Sequence, residues 1–473
     1  MRKFILIGLV ILALGVAAAA VVFRPDKALR VVTALISHTL CSQTFVAGLD
    51  PDQTYRETFG DWPVVRRLLP AVRYEVDRAH REVRATLAGA FASRAVYRDG
   101  LGCVQAPAGS AAPSSAAAAW KNDPKLIEDA PDIAPPHIVE PADPRLRSAL
   151  DRVFAEPAGD PQRATKAVVV YHDGRIVAER YAPGYGIDTP LYGYSVTKSV
   201  VNALIGILVR QGRLSLDGPA PVAAWRDPAD PRHAITVEQL MRMTSGLDLD
   251  EVNNGFDPTS RMLYLESDMA GFAESAALIA PPGSRWSYSS PSMLILSRII
   301  RDAAGGKPED VLRFAHRELF DPLGMRNVTL EFDAAGTPVD STHMFATARD
   351  WTRFGALYLN DGVVGGRRIL PEGWVRFSAS PTPGAMLGYG AGFFTNLGES
   401  DFAKRRVRGG MPADSFIASG MLGQRIVIAP AERLVVVRFG RSLDFPTFDI
   451  QGLMRLVADA NAAVHNPQRG SRS

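Results

Sequence analysis

The chain has 473 residues, a formal net charge of +3, 47% hydrophobic and 22% charged residues. That length suits one large domain with an extension, and the composition is that of an ordinary globular protein. A near-neutral charge without Lys and Arg clusters among aromatics argues against nucleic acid as a partner.

The N-terminus is basic at Met1-Arg2-Lys3 and then apolar from Phe4 to Phe23, closed by Arg24-Pro25. A run of about 20 apolar residues is long enough to cross a bilayer as a helix. Ala17 to Ala20 also offers the small residues of a signal-peptide cleavage site. Residues 1–24 therefore read as a membrane anchor or a signal peptide. Both readings leave the basic end in the cytoplasm and export the rest, as a periplasmic or secreted protein that stays on the inner membrane if the leader is retained. Residues 25–144 form an extension and linker. Helical-looking stretches alternate with charged residues from Asp26 to about Leu101. Residues 106–119, rich in Ala, Ser and Pro, and 131–144, rich in Pro and Asp, read as linker or surface crossing. Both cysteines, Cys41 and Cys103, lie in this extension, and an even pair in an exported chain predicts a disulfide. Closing that loop of about 60 residues would be worth roughly 3–4 kcal/mol.

The main domain spans 145–465, with a short tail at 466–473. It opens on a hairpin signal: Ala167–Tyr171 and Arg175–Glu179 flank His172-Asp173-Gly174, where Asp-Gly suits a tight turn. A second hairpin comes late, with Arg425–Ile428 and Leu434–Val437 joined through residues 429–432. Helices fill the interval. One runs from Ser199 to Arg210, another from Met293 to Ile300, and Thr236 with Gln239 and Thr347 with Asp350 are capping-box starts for two more. The expected fold is α+β: an antiparallel sheet flanked by helices, plus a helical lobe, with a cleft between them. Lys404-Arg405-Arg406 with Arg408 reads as a solvated loop.

Ser195-Val196-Thr197-Lys198 is the only Ser-x-x-Lys in the chain. The preceding Tyr192-Gly193-Tyr194 breaks regularity, so Ser195 stands at a helix start with Lys198 one turn on along the same face. The helix dipole and burial both disfavour a charged lysine there, and a lysine of lowered pKa can take the serine's proton. The bland alternative is a serine N-cap beside a solvated lysine. Tyr288 and Ser290, in the polar loop Gly283 to Ser290, supply the second polar group that proton transfer to a leaving group needs. Tyr358-Leu359-Asn360 has the same Tyr-x-Asn form, but it ends a helix and reads as packing. The eight histidines show no His-x-x-x-His or His-Glu-x-x-His spacing, so no metal is expected at the reaction centre. His343 reads as a loop histidine with its hydrogen bonds satisfied.

Over about Ala167 to Phe439 these segments resemble the serine β-lactamase and penicillin-recognising superfamily, with a β-lactamase/transpeptidase-like fold. The likeness is to its class C-like esterase and amidase branch, which includes enzymes similar to 6-aminohexanoate-dimer hydrolase. Beyond the catalytic motif it rests on Met243–Leu247, Pro282–Ser290, Met344–Gly355, Arg368–Trp374 and Ala418-Ser419-Gly420 followed by Gly423-Gln424. The resemblance implies Ser195 as nucleophile, Lys198 as its base and Tyr288 as the proton donor to the leaving group. It also places Ser290, Ala418, Ser419 and Gly420 along the substrate cleft. The amides of Ser195 and Met421 would form an oxyanion hole worth about 3–4 kcal/mol per donor. Where the superfamily carries Lys-Thr-Gly or His-x-Gly, this chain has Ala418, so a cation for a β-lactam carboxylate is missing and a small neutral ester or amide is expected. No cofactor is implied. Rival readings are a D-alanyl-D-alanine carboxypeptidase, a weak β-lactamase, and a non-catalytic anchored binding or sensor domain.

Overall fold

The computed structural model describes residues 24–60, 62–106, 122–158, 162–443 and 452–465. No helix among them is long and apolar enough to cross a membrane, and the run Phe4–Phe23 lies outside them, as does the tail 466–473.

The extension is half sheet, which corrects the helical expectation for residues 26–101. After helices α1 (Pro25–Phe45) and α2 (Pro51–Phe59), the chain forms an antiparallel meander. Its strands are β1 (Val72–Asp77), β2 (Glu82–Leu87), β3 (Ala90–Arg98) and β4 (Gly102–Ala106). The cause is visible in β2, where Val83, Ala85 and Leu87 are buried at every second position with Arg84 exposed between them. That apolar face closes on Ile36, Leu40 and Cys41 of α1. Cys41 and Cys103 are joined by a disulfide, with their Cα atoms 6.1 Å apart.

In the main domain, α3 (Pro144–Phe154) precedes the hairpin β5 (Thr165–His172) and β6 (Arg175–Tyr181). The helical lobe includes α4 (Thr197–Arg210), α5 (Pro258–Leu265) and α6 (Ser290–Ala304), and α7 (Ala348–Leu359) follows it. Late elements are β7 (Phe394–Thr395), α8 (Asp401–Arg408), β8 (Phe416–Gly420), β9 (Gln424–Ala429), β10 (Leu434–Gly440) and α9 (Leu453–His465). The six strands form one antiparallel sheet in the order β7-β8-β9-β10-β5-β6. Its last-made strand thus pairs with its first, Val437 standing opposite Val169.

The sheet is buried on both faces, which is why its strands read as nearly continuous Val and Ile runs. Val168, Val170, Val427 and Val436 pack under α3 and α9. Val169, Ile426, Val435 and Val437 face α4 and α7. On that side α7 comes so close that a Cβ at Gly355 would lie 2.7 Å from a methyl of Val435. Both capping boxes, at Thr236–Gln239 and Thr347–Asp350, are formed.

Three local expectations need correction. The basic run at 404–408 is not a loop but α8, capped by the Ser400 hydroxyl. Its Arg406 turns inward to donate to the Asn396 side chain and the Thr395 carbonyl. Residues 131–144 do more than cross the surface: Ile133 is buried, and its carbonyl and that of Val139 accept from Ile176 and Glu179. The segment thereby covers the open edge of β6. Ser290 is not in the loop but at the first position of α6, which Ser289 caps.

Candidate active site

The turn that carries Ser195 is built from close contacts. Strand Leu191–Tyr192 pairs with Met344–Ala346, and the Gly193 amide donates to the Met344 carbonyl at 2.8 Å. Any side chain at Gly193 would collide with Trp351, whose ring carbon would sit 2.8 Å from a Cβ. Tyr194 then adopts φ 46°, a left-handed conformation uncommon for an aromatic residue. This reversal turns the strand into a 3-10 turn over Tyr194–Val196 and then into α4. Ser195 sits on that turn, so helix α4 proper begins two residues later, at Thr197.

Lys198 is 1% exposed, and its Nζ lies 2.7 Å from Ser195 Oγ. The same nitrogen is 2.8 Å from Ser290 Oγ and donates to the Ser341 carbonyl at 2.8 Å. Burial lowers its pKa to about 8, and the negative charge of Glu251 opposes that shift. A neutral amine held this way donates two hydrogen bonds, to Ser290 and Ser341, and keeps its lone pair for the Ser195 hydroxyl. The lysine also lies 5.1 Å from the centre of the Tyr288 ring.

Tyr288 shares a hydrogen bond with the Ser195 side chain, while burial and then Glu251 raise its pKa, so it holds its proton at neutral pH. Its ring is fixed edge-on to Tyr389 and alongside Phe394. Ser195, Lys198, Tyr288 and Ser290 are therefore brought together. Tyr358 is not among them: it is buried, and its hydroxyl donates to Asn202 Oδ1 at 2.5 Å.

Strand β8 closes the other side. The two-residue β7 pairs only with Phe416 and Ile417, leaving Ala418, Ser419 and Gly420 without a neighbour on that side of the sheet. A Cβ at Gly420 would lie 2.3 Å from the Gly193 carbonyl and 3.2 Å from the Ser195 amide nitrogen, so only glycine fits. Ser195 and Met421 both line a cavity of about 210 Å³.

Sequence reasoning missed two charged residues there. Glu251 lines the cavity and accepts the Ser290 amide hydrogen bond at 2.7 Å. The acidic stretch Asp248-Leu249-Asp250-Glu251 just after the Thr-Ser-Gly turn was the available signal. Arg425 pairs across from Ser419 and donates to the Gly420 carbonyl at 2.6 Å, close enough to Tyr288 to influence it. The cavity's remaining wall was also unforeseen. Val31, Val32 and Leu35 of α1, with Trp62 and Val65, make it from the extension.

A sequence profile described as Beta-lactamase matches residues 150–456. The 6-aminohexanoate-dimer hydrolase of Paenarthrobacter ureafaciens is 24% identical over 342 residues, 68% of this chain and 85% of that protein. A solved structure titled as a provisional 6-aminohexanoate-dimer hydrolase from Bacillus anthracis superposes with a TM-score of 0.57 at 25% identity, covering 74% of this chain and 91% of that one. A family VIII carboxylesterase shares the fold, with a TM-score of 0.54 at 17% identity over 69% of this chain and 98% of its own.

Proposed function

Since this chain belongs to the Beta-lactamase family, whose members are serine hydrolases, we propose that it cleaves a small neutral ester or amide through an acyl-enzyme on Ser195. The observation that carries this reading is the buried Lys198 amine, 2.7 Å from the Ser195 hydroxyl. Neutral Lys198 takes the hydroxyl proton as Oγ attacks the carbonyl carbon. The amides of Ser195 and Met421 hold the oxyanion. Tyr288 gives its proton to the departing alcohol or amine and is reprotonated through Lys198. Water then repeats the sequence against the acyl-enzyme.

The substrate class follows from the cavity's walls. A carboxylate on the substrate would meet Glu251, which disfavours β-lactams and D-alanyl peptides. The aliphatic side chains of α1 favour an apolar acyl group, and about 210 Å³ favours a compact one. A non-catalytic anchored domain has no use for a buried lysine of lowered pKa held against a serine hydroxyl. We place the enzyme outside the cytoplasm, on the basic-apolar leader and the Cys41–Cys103 bond. Fusing residues 1–24 to a reporter active only after export tests that placement, and an expressed but inactive fusion contradicts it.

The enzymatic test is a panel of a nitrophenyl ester, a chromogenic cephalosporin and a D-Ala-D-Ala peptide, with fluorophosphonate labelling alongside. Ester turnover should dominate, and Ser195→Ala should lose both turnover and label. Unchanged activity in Ser195→Ala ends the proposal.

A further inference from the structure

In the interior three ionisable side chains from distant parts of the sequence meet, one of them two residues on from Ser341, whose carbonyl anchors Lys198. They are His38 from α1, and Glu331 and His343 from the main domain, exposed by 3%, 0% and 1%. One ligand-capable atom from each lies within 4.8 Å of the others. Among the described residues, neither Glu331 Oε2 nor His343 Nε2 has a hydrogen-bond partner.

We propose that His38, Glu331 and His343 bind one divalent transition-metal ion, zinc by preference, which fastens α1 to the hydrolase domain. His38 Nε2 stands 3.5 Å from Glu331 Oε2. That separation is too long for a hydrogen bond. Two ligand atoms each about 2.1 Å from a zinc ion and set at the tetrahedral angle lie about 3.4 Å apart, which matches it. A shift of at most about 1.4 Å in the widest pair brings all three atoms to that spacing. Two imidazoles and one carboxylate are a zinc ligand set.

The surroundings are those of a supported metal site. The other carboxylate oxygen of Glu331 accepts from the Ser42 hydroxyl and the Cys103 amide, both at 2.8 Å. The His38 ring hydrogen-bonds the Cys103 backbone as well as facing Glu331. Such outer bonds orient ligands in metal centres. The two imidazole rings lie alongside each other, 4.2 Å between centres. Gly102 makes room for the carboxylate: a Cβ there would sit 2.4 Å from Glu331 Cγ. None of the three side chains lines the cavity in which Ser195 stands, so the ion's role here is to join α1 to the domain and not to meet the substrate.

The test uses the whole chain, purified, exposed to zinc and then dialysed. Elemental analysis should find one zinc per chain, and a chelator should lower the melting temperature reversibly. Cobalt in its place should give visible d–d absorption. His38→Gln and His343→Gln should each abolish stoichiometric metal and the cobalt spectrum. Glu331→Gln is the decisive variant, because its amide oxygen keeps the bonds from Ser42 and Cys103 while the anionic ligand is lost. It should fold, by circular dichroism, and bind zinc at least tenfold more weakly. Absence of stoichiometric metal in the wild type overturns the proposal, as does metal retained unchanged in all three variants. None of these readouts depends on esterase activity, so they stand or fall separately from the proposed reaction.

Discussion

Lys198 must be neutral to accept the Ser195 proton, and its pKa of about 8 sets where that happens. The kcat/KM of ester hydrolysis should therefore rise with pH and level off above about 8, as the uncharged amine becomes the main form. Glu251 holds that pKa up, because its negative charge favours the ammonium. Glu251→Gln should move the rising limb to lower pH, and a pH–rate profile with an unmoved limb would remove Glu251 from the account. Tyr288→Phe keeps the ring between Tyr389 and Phe394 but deletes the proton. It should lower kcat by about 10²–10⁴-fold with KM little changed, as expected for a group acting mainly in the transition state. Ser195 and Lys198 were visible as a Ser-x-x-Lys pair and Tyr288 as part of a polar loop, whereas Gly420 was singled out only through the family resemblance. Glu251, Arg425 and the His38–Glu331–His343 cluster were not legible, because their proximity is created only by tertiary packing. His343, read as a satisfied loop histidine, instead lies buried with an unpartnered nitrogen.

Among the elements, α1 has two roles that no periodicity announces. It packs Ile36, Leu40 and Cys41 on the extension's own meander, and it supplies Val31, Val32 and Leu35 to the cavity before Ser195, the last two touching both. Its burial pattern is that of any core helix, so the sequence could not say which neighbour it meets. Leu35→Trp should fill part of the cavity. Across a series of nitrophenyl esters, kcat/KM should fall more for hexanoate than for acetate. Equal losses on both would place the acyl group elsewhere. Strand β2 shows a different limit: its Arg, Glu and Thr residues resemble the exposed face of a helix unless the alternation at Val83, Ala85 and Leu87 is weighed. Covalent closure of α1 onto β4 stabilises this unit by about 4 kcal/mol in the loop-entropy account. Replacing Cys41 and Cys103 by serine should lower the urea midpoint and steepen the slope of unfolding, because the uncrosslinked unfolded chain expands.

Over the whole molecule, the hairpin signals at both ends of the main domain were readable, but not their meeting, since strand order is a property of the closed sheet. The extension is joined to that domain by more than chain connectivity. Arg98 donates to the Phe332 carbonyl at 2.5 Å, and Lys166 pairs with Glu57 at 2.9 Å. Truncation before residue 122 should therefore do more than remove a tether. It should expose the apolar residues around Ser195, raise dye binding to the folded domain, and slow hydrolysis. The pairing of β10 between β9 and β5 also bears on how the protein comes into being. During synthesis the β5–β6 hairpin emerges early, and its inner edge waits for Leu434–Gly440, nearly the last strand made. Contacts so far apart in sequence close slowly. A ribosome-bound or translocating chain therefore carries an open, valine-rich edge for most of its elongation, when aggregation is the main hazard. Sheet closure then waits for Leu434–Gly440, and chaperone dependence should scale with the time spent before that strand appears.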